Sequence, residues 1–181
     1  MDKKFQKIAN ADLGRIAPED YSKVQKIPVV VVLDNVRSLN NIGSVFRTAD
    51  AFAIEAIYLC GFTAKPPHRD IQKTALGATE TVSWHYFSQI QDAIKQLREE
   101  DYIIASVEQT EKATPLHQVK VEKPIAIVLG NEVQGVSQEV CSISDLCIEI
   151  PQFGTKHSLN IAVCAGAVLW ELCRQFRLTN S

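Results

Sequence analysis

The chain has 181 residues and a mass of 20.1 kDa, a length that fits one domain able to bury roughly two-thirds of the surface its unfolded form exposes. Its 46% hydrophobic and 22% charged residues are ordinary globular usage, which excludes a disordered or fibrous class. A net charge of −2 and an isoelectric point near 6.1 lack the basic excess of a domain that grips nucleic acid chiefly through phosphates.

Five cysteines (Cys60, Cys141, Cys147, Cys164, Cys173) are odd in number and widely spaced, which reads as reduced packing thiols of an intracellular protein. The four histidines (His68, His85, His117, His157) are scattered and no CxxC or HExxH spacing occurs, so no metal is expected. The opening segment mixes charges and has no apolar run of the secretory kind. The most apolar stretch, 161–173, carries Glu171 and falls short of the roughly 20 residues that cross a bilayer. The expected protein is cytoplasmic, without a membrane partner.

In chain order, residues 1–26 are polar, carry Gly14 and Pro18, and read as an arm or short helices leading into a domain at 27–181. Residues 27–33 (IPVVVVL) form a β-branched run apolar on both faces, the pattern of a central parallel strand covered by helices on each side. A helix over 42–52 and a strand over 55–60 follow, then a loop, 61–70, where Pro66 and Pro67 forbid regular structure. A short helix is expected over 70–77 and an alternating strand over 81–87. Residues 88–99 place Ile90, Ala93, Ile94 and Leu97 at helical spacing behind Ser88 as a cap. Buried strands over 102–107 and 125–129 flank a polar stretch containing Pro115, a short strand covers 146–150, and a long helix capped by Ser158 closes the chain over 158–176. This alternation predicts an α/β domain with a mostly parallel sheet of six strands and helices on both faces.

In open α/β sheets ligands bind beyond the carboxyl ends of the strands, and three such loops carry unusual residues. After the first strand comes DNVRSLNNIGSVFRTA, in which Asn41 and Arg47 are six positions apart, near two helical turns, and can point toward the same end of the sheet. The residues alone leave open that Asn41 is a helix cap and Arg47 a surface cation. After 125–129 comes Gly130-Asn131-Glu132-Val133-Gln134-Gly135, where two glycines free the backbone to approach a ligand and Glu132 sits at the sheet's mouth. The third loop, 150–160, ends a strand with Pro151 and presents Ser158 and Asn160 at the start of an apolar helix, where free N–H groups hold polar or anionic atoms. Capping explains Ser158; Asn160, inside an expected first turn, needs a partner. Positive clusters occur at Lys3, Lys4 and Lys7, at Lys65, His68, Arg69 and Lys73, and at Lys156 with His157. No GxGxxG or GxxxxGK[ST] occurs, which disfavours dinucleotide-binding and P-loop chemistry.

Together NNIGSVFRTAD at 40–50, VLGNEVQGV at 128–136 and IPQFGTKHSLNIAV at 150–163 resemble the SpoU, or TrmH-like, branch of the SPOUT methyltransferases, in family order and at family-like separations over about residues 27–176. A lone NxGxxxR is weak; the ordered triple is specific. The resemblance implies a C-terminal trefoil knot involving the loops at 105–110, 129–136 and 150–160, which composition and periodicity do not supply. It further implies S-adenosylmethionine as cofactor, held by backbone groups at Leu129, Gly130, Ile150 and Leu159.

By the same resemblance Asn41, Arg47, Glu132, Ser158 and Asn160 occupy the positions of the family's catalytic residues. The implied reaction is methyl transfer to a ribose 2′-hydroxyl of tRNA or rRNA by a homodimer packed through the knot region. Such a dimer brings the first-motif arginine near the cofactor site. A guanidinium is a poor base, so Arg47 stays open between an activated base and an electrostatic orienter. The rival readings are a catalytically silent RNA-binding protein on the same scaffold, a SPOUT enzyme that methylates a base nitrogen, and a small-molecule methyltransferase. Retention of Arg47, Glu132, Ser158 and Asn160 opposes the first, and SLNIAV lies closer to the ribose-methylating branch than to the second.

Overall fold

The computed structural model describes residues 5–178, so Lys3 and Lys4 of the arm lie outside the described residues. Among these, seven strands form one sheet: β1 (Ile27–Asp34), β2 (Ile54–Cys60), β3 (Ser83–Phe87), β4 (Ile103–Val107), β5 (Thr114–Pro115), β6 (Ile125–Leu129) and β7 (Leu146–Glu149). Their order is β3-β2-β1-β6-β4-β7-β5, and every pairing is parallel. The sheet therefore exceeds the expected six strands by one and is wholly parallel. The added strand, β5, is two residues long and lies at the sheet edge, where a proline's missing N–H costs no ladder bond.

Helices α1 (Leu39–Phe52), α2 (Arg69–Ala75), α3 (Ala78–Thr81), α4 (Ile90–Glu99), α5 (Gln138–Ile143) and α6 (Ile161–Cys173) cover the sheet. Successive strand residues point to opposite faces, and β1 divides its side chains accordingly. Val29, Val31 and Leu33 share one core with Ile42 and Phe46 of α1, Ile71 of α2 and Leu169 of α6. Val30 and Val32 share the other with Ile94 and Leu97 of α4 and Val140 of α5. A strand buried on both sides has no polar positions to alternate, which is why β1 reads as an unbroken apolar run.

Several element ends differ from the sequence reading. Helix α1 starts three residues earlier than expected because Ser38 accepts a hydrogen bond from the Asn41 N–H at 3.3 Å. Thr81 ends α3, where its hydroxyl bonds Asp50, instead of opening a strand. Ser88 does not cap α4: the cap position falls on Gln89, with no side-chain hydrogen bond. Ser158 does not cap α6 either. That helix begins at Ile161, and Asn160 is its cap, accepting from Ala162 N–H at 2.9 Å and Val163 N–H at 3.4 Å. Before the sheet, Tyr21 in the 3-10 turn Pro18–Lys23 is buried and donates to the Asp50 carbonyl at 3.1 Å. No helix among the described residues is long and apolar enough to cross a membrane.

Candidate active site

At the carboxyl edge of the sheet the β1–α1, β6–α5 and β7–α6 loops meet through one chain of hydrogen bonds. The Glu132 carboxylate sits on the N-terminus of α1, accepting from the Arg37 N–H at 3.0 Å and the Ser38 N–H at 2.9 Å, where free N–H groups and the helix dipole favour an anion. The same carboxylate accepts from Asn41 Nδ2 at 3.3 Å, and Asn41 Oδ1 accepts from Asn160 Nδ2 at 3.1 Å. Donor and acceptor roles along this chain are forced. A carboxylate only accepts, and the N–H groups at the start of α6 only donate, so each amide can be turned one way only.

Burial works against ionisation of Glu132, yet the hydrogen bonds from Arg37, Ser38, its own N–H and Asn41 outweigh it and hold the carboxyl below the usual range. Glu132 is thus a fixed negative charge at neutral pH, with its lone pairs engaged. That suits a group that locks loops together and makes it a weak proton acceptor.

The β6–α5 loop closes on itself. Asn131 N–H donates to the Gly135 carbonyl at 3.1 Å and Gly135 N–H returns a bond to Asn131 at 2.8 Å, while Asn131 Nδ2 reaches the Asn35 carbonyl of the first loop at 2.8 Å. A Cβ on Gly130 would lie 2.1 Å from the Gly135 carbonyl oxygen, so this close approach requires glycine. Gly135 has φ 68°, and a Cβ there would meet Glu108 Oε2 at 2.1 Å.

Glu108, at the end of β4, accepts from the Val136 N–H at 2.9 Å, and its neighbour Gln109 donates to the His157 carbonyl at 2.7 Å. Together these two residues fasten the second and third loops to a fourth strand. Sequence reasoning passed over both, although a polar pair directly after a buried strand at the carboxyl edge was the available signal.

Between these loops lies a cavity of about 490 Å³, within the range of small-molecule and cofactor sites. The expected cofactor-contact residues Leu129, Gly130, Ile150 and Leu159 all line it, as do Glu132, Ser158 and Asn160. Its ionisable lining groups are Glu108, Glu132, Glu149, His157 and Cys164, with no lysine or arginine. Burial, and then the nearby Glu108 charge, push the Cys164 thiol up to about 11, so it stays protonated and is no nucleophile.

Asn41 touches this site only through its bonds to Glu132 and Asn160, and Arg47 is not on the lining at all. Six helical positions turn a side chain roughly 120° away from its starting direction and about 9 Å along the axis. Arg47 accordingly lies exposed on another face of α1 from Asn41, contrary to the expectation that both face one end of the sheet.

A wholly parallel sheet, helices on both faces and a loop-built cavity at the carboxyl edge define an open α/β domain with its ligand site in the position that architecture favours. Residues 28–170 match the SpoU rRNA Methylase family, and the chain belongs to it. It is 30% identical over 153 residues to the 23S rRNA (guanosine-2′-O-)-methyltransferase RlmB of Neisseria meningitidis serogroup B, covering 84% of this chain and 61% of that relative, about three-fifths of its length. The Aquifex aeolicus TrmH/SpoU tRNA modifying enzyme superposes with a TM-score of 0.79 at 28% identity, over 90% of this chain and 82% of that one. The AdoMet-bound rRNA methyltransferase from Sinorhizobium meliloti gives a TM-score of 0.77 at 26% identity, over 88% and 61%.

Proposed function

We propose that this chain is an S-adenosylmethionine-dependent methyltransferase that methylates a ribose 2′-hydroxyl of tRNA or rRNA. The observation that carries this reading is the Glu132–Asn41–Asn160 chain, which joins three family motifs beside a cavity whose fixed charges are carboxylates. Such a cavity fits a ligand bearing a sulfonium and an ammonium. The named relative and the two superposed structures, an rRNA enzyme, a tRNA enzyme and an AdoMet-bound enzyme, support the same reading.

When bound, S-adenosylmethionine supplies an electrophilic methyl carbon. Backbone groups at Leu129, Gly130, Ile150 and Leu159 would hold it, with Ser158 and Asn160 at the rim. The protein's contribution to rate is then alignment of the 2′-oxygen with that carbon. Glu132 positions the loops, and Arg47, permanently charged, orients the RNA phosphate or the developing charge on the 2′-oxygen.

Because Arg47 lies outside the cavity lining of its own chain, this mechanism includes a homodimer in which Arg47 of one subunit serves the cavity of the other. The exposed side chains of Val163 and Trp170 on α6, at 59% and 52%, support such an interface, and Trp170 packs against Phe52 of α1 with ring centroids 5.9 Å apart. The trefoil knot and the division at residue 27 belong to the same reading. The knot's support is that the loops from β4, β6 and β7 converge on one cavity.

Calorimetry of the pure protein with S-adenosylmethionine, together with a mass-spectrometric inventory of 2′-O-methylnucleosides in tRNA and rRNA from cells lacking it, tests the reading. Loss of one modified nucleotide identifies the RNA. No cofactor uptake, or an unchanged inventory, overturns it in favour of a silent RNA-binding protein.

A further inference from the structure

Beside the cavity, the loop after β2 holds a large aromatic side chain in the open on a firmly anchored backbone. Phe62 is 58% exposed. Its N–H donates to Asn35 Oδ1 at 3.2 Å, and the preceding Gly61 N–H donates to the Phe87 carbonyl at 3.0 Å. Next along the chain, buried Thr63 donates its hydroxyl to the Leu33 carbonyl and accepts from the Val36 N–H, both at 3.0 Å. Tyr86 of β3, 40% exposed, donates to the Gly61 carbonyl at 2.9 Å. The ring is exposed while its backbone is anchored, so it is available to a ligand.

Two cations accompany the rings. The Arg37 guanidinium lies 5.7 Å from the Phe62 ring centre, and Lys65 Nζ lies 4.0 Å from that of Tyr86. Among the described residues neither has a carboxylate within ion-pair distance. Further along the same segment Arg69 and Lys73 are exposed cations, with Asp70 the acid between them. The backbone of Arg37 is the one that donates to Glu132, so this surface begins at the rim of the cavity.

We propose that Phe62 and Arg37, with Tyr86 and Lys65 alongside, form a stacking platform for an unpaired nucleobase adjacent to the nucleotide being methylated, with Lys65 on a phosphate. This rests on the reading that the chain methylates RNA. Splayed bases stack on aromatic rings and on guanidinium planes, while lysine takes the backbone charge. An apolar protein partner would not require unpaired cations over each ring. The platform also reconciles an acidic chain with an RNA substrate, since the grip is local and aromatic in place of a broad basic face.

The test uses Phe62→Leu, which keeps apolar bulk without a ring, Phe62→Trp, which keeps stacking, and Arg37→Ala, with unfractionated tRNA and purified rRNA as probes. Steady-state methyl transfer and fluorescence anisotropy are read beside calorimetric cofactor affinity and melting temperature. The expected result is a rise of roughly tenfold or more in the RNA KM and Kd for Phe62→Leu and Arg37→Ala. Phe62→Trp should stay near wild type, and cofactor affinity and melting temperature should be unchanged in all three. Wild-type RNA affinity in Phe62→Leu overturns the platform while leaving the methyltransferase reading intact. A wild-type protein that binds S-adenosylmethionine but neither RNA overturns both.

Discussion

Asn160 has two separable tasks. Its Oδ1 caps α6 and its Nδ2 donates to Asn41. Asn160→Ala removes both, and loss of a helix cap costs about 1 kcal/mol, measurable by urea denaturation, along with most methyl transfer. Asn160→Asp keeps the acceptor but not the donor. It should hold stability near wild type while activity still falls at least tenfold, and wild-type turnover in that variant would remove Asn160 from the site.

Glu132 carries a pH prediction. Its carboxyl is held below the usual range in the folded protein, so its stabilisation is fully present above the ordinary carboxylate pKa and is lost as pH falls through the lowered folded value. Glu132→Gln should remove that acid-side dependence from the urea midpoint and leave neutral-pH behaviour of other groups in place. Parallel acid limbs in the two proteins would show that Glu132 does not anchor the loops.

At the scale of elements, α1 and α2 touch through a glycine. A Cβ on Gly43 would lie 2.2 Å from both the Ile71 carbonyl oxygen and Thr74 Oγ1, while that threonine hydroxyl also donates to the Asn40 carbonyl at 3.0 Å. Gly43→Ala must push the helices apart and is expected to cost roughly 1–3 kcal/mol. Gly154→Ala, where an added methyl meets nothing, should stay within about 0.5 kcal/mol. Chemical denaturation of the pair checks both.

The elements that were legible in the sequence are those with enough residues to show a period. β1 and β6 announce themselves as unbroken apolar runs, and α4 by Ile90, Ala93, Ile94 and Leu97, all buried. Four-residue α3, six-residue α5 and two-residue β5 are too short for periodicity to mark them. Ser158 and Asn160 are both chemically good caps, two positions apart, and local chemistry does not choose between them. The choice is tertiary: Asn41, 119 positions away, offers Asn160 a partner, and Gln109 holds the chain at His157 outside the helix. That Arg47 leaves α1 on another face from Asn41 was legible, since six positions turn a side chain about 120°, but spacing does not say where the other loops build the cavity.

For the whole molecule, the proposed homodimer, in which Arg47 serves the partner's cavity, predicts complementation between subunits. Arg47→Ala should abolish methyl transfer while cofactor affinity stays within a few-fold. Mixing it with Asn160→Asp under conditions of subunit exchange should restore activity, because a mixed dimer contains one intact cavity facing one intact arginine. Two inactive parents whose mixed dimers, verified by differential tagging, remain inactive would place Arg47 in its own chain's chemistry or outside the reaction.

The position of β6 bears on how the chain is made. β6 lies between β1 and β4, with Val29 paired to Ile125 and Ile103 paired to the same residue from the other side. A nascent polypeptide that has emerged only through β4 therefore carries two apolar strands, each lacking its central neighbour, and their bare edges invite pairing with other chains. The middle of the sheet stays open until β6 has emerged, so partly synthesised protein is the form most exposed to aggregation.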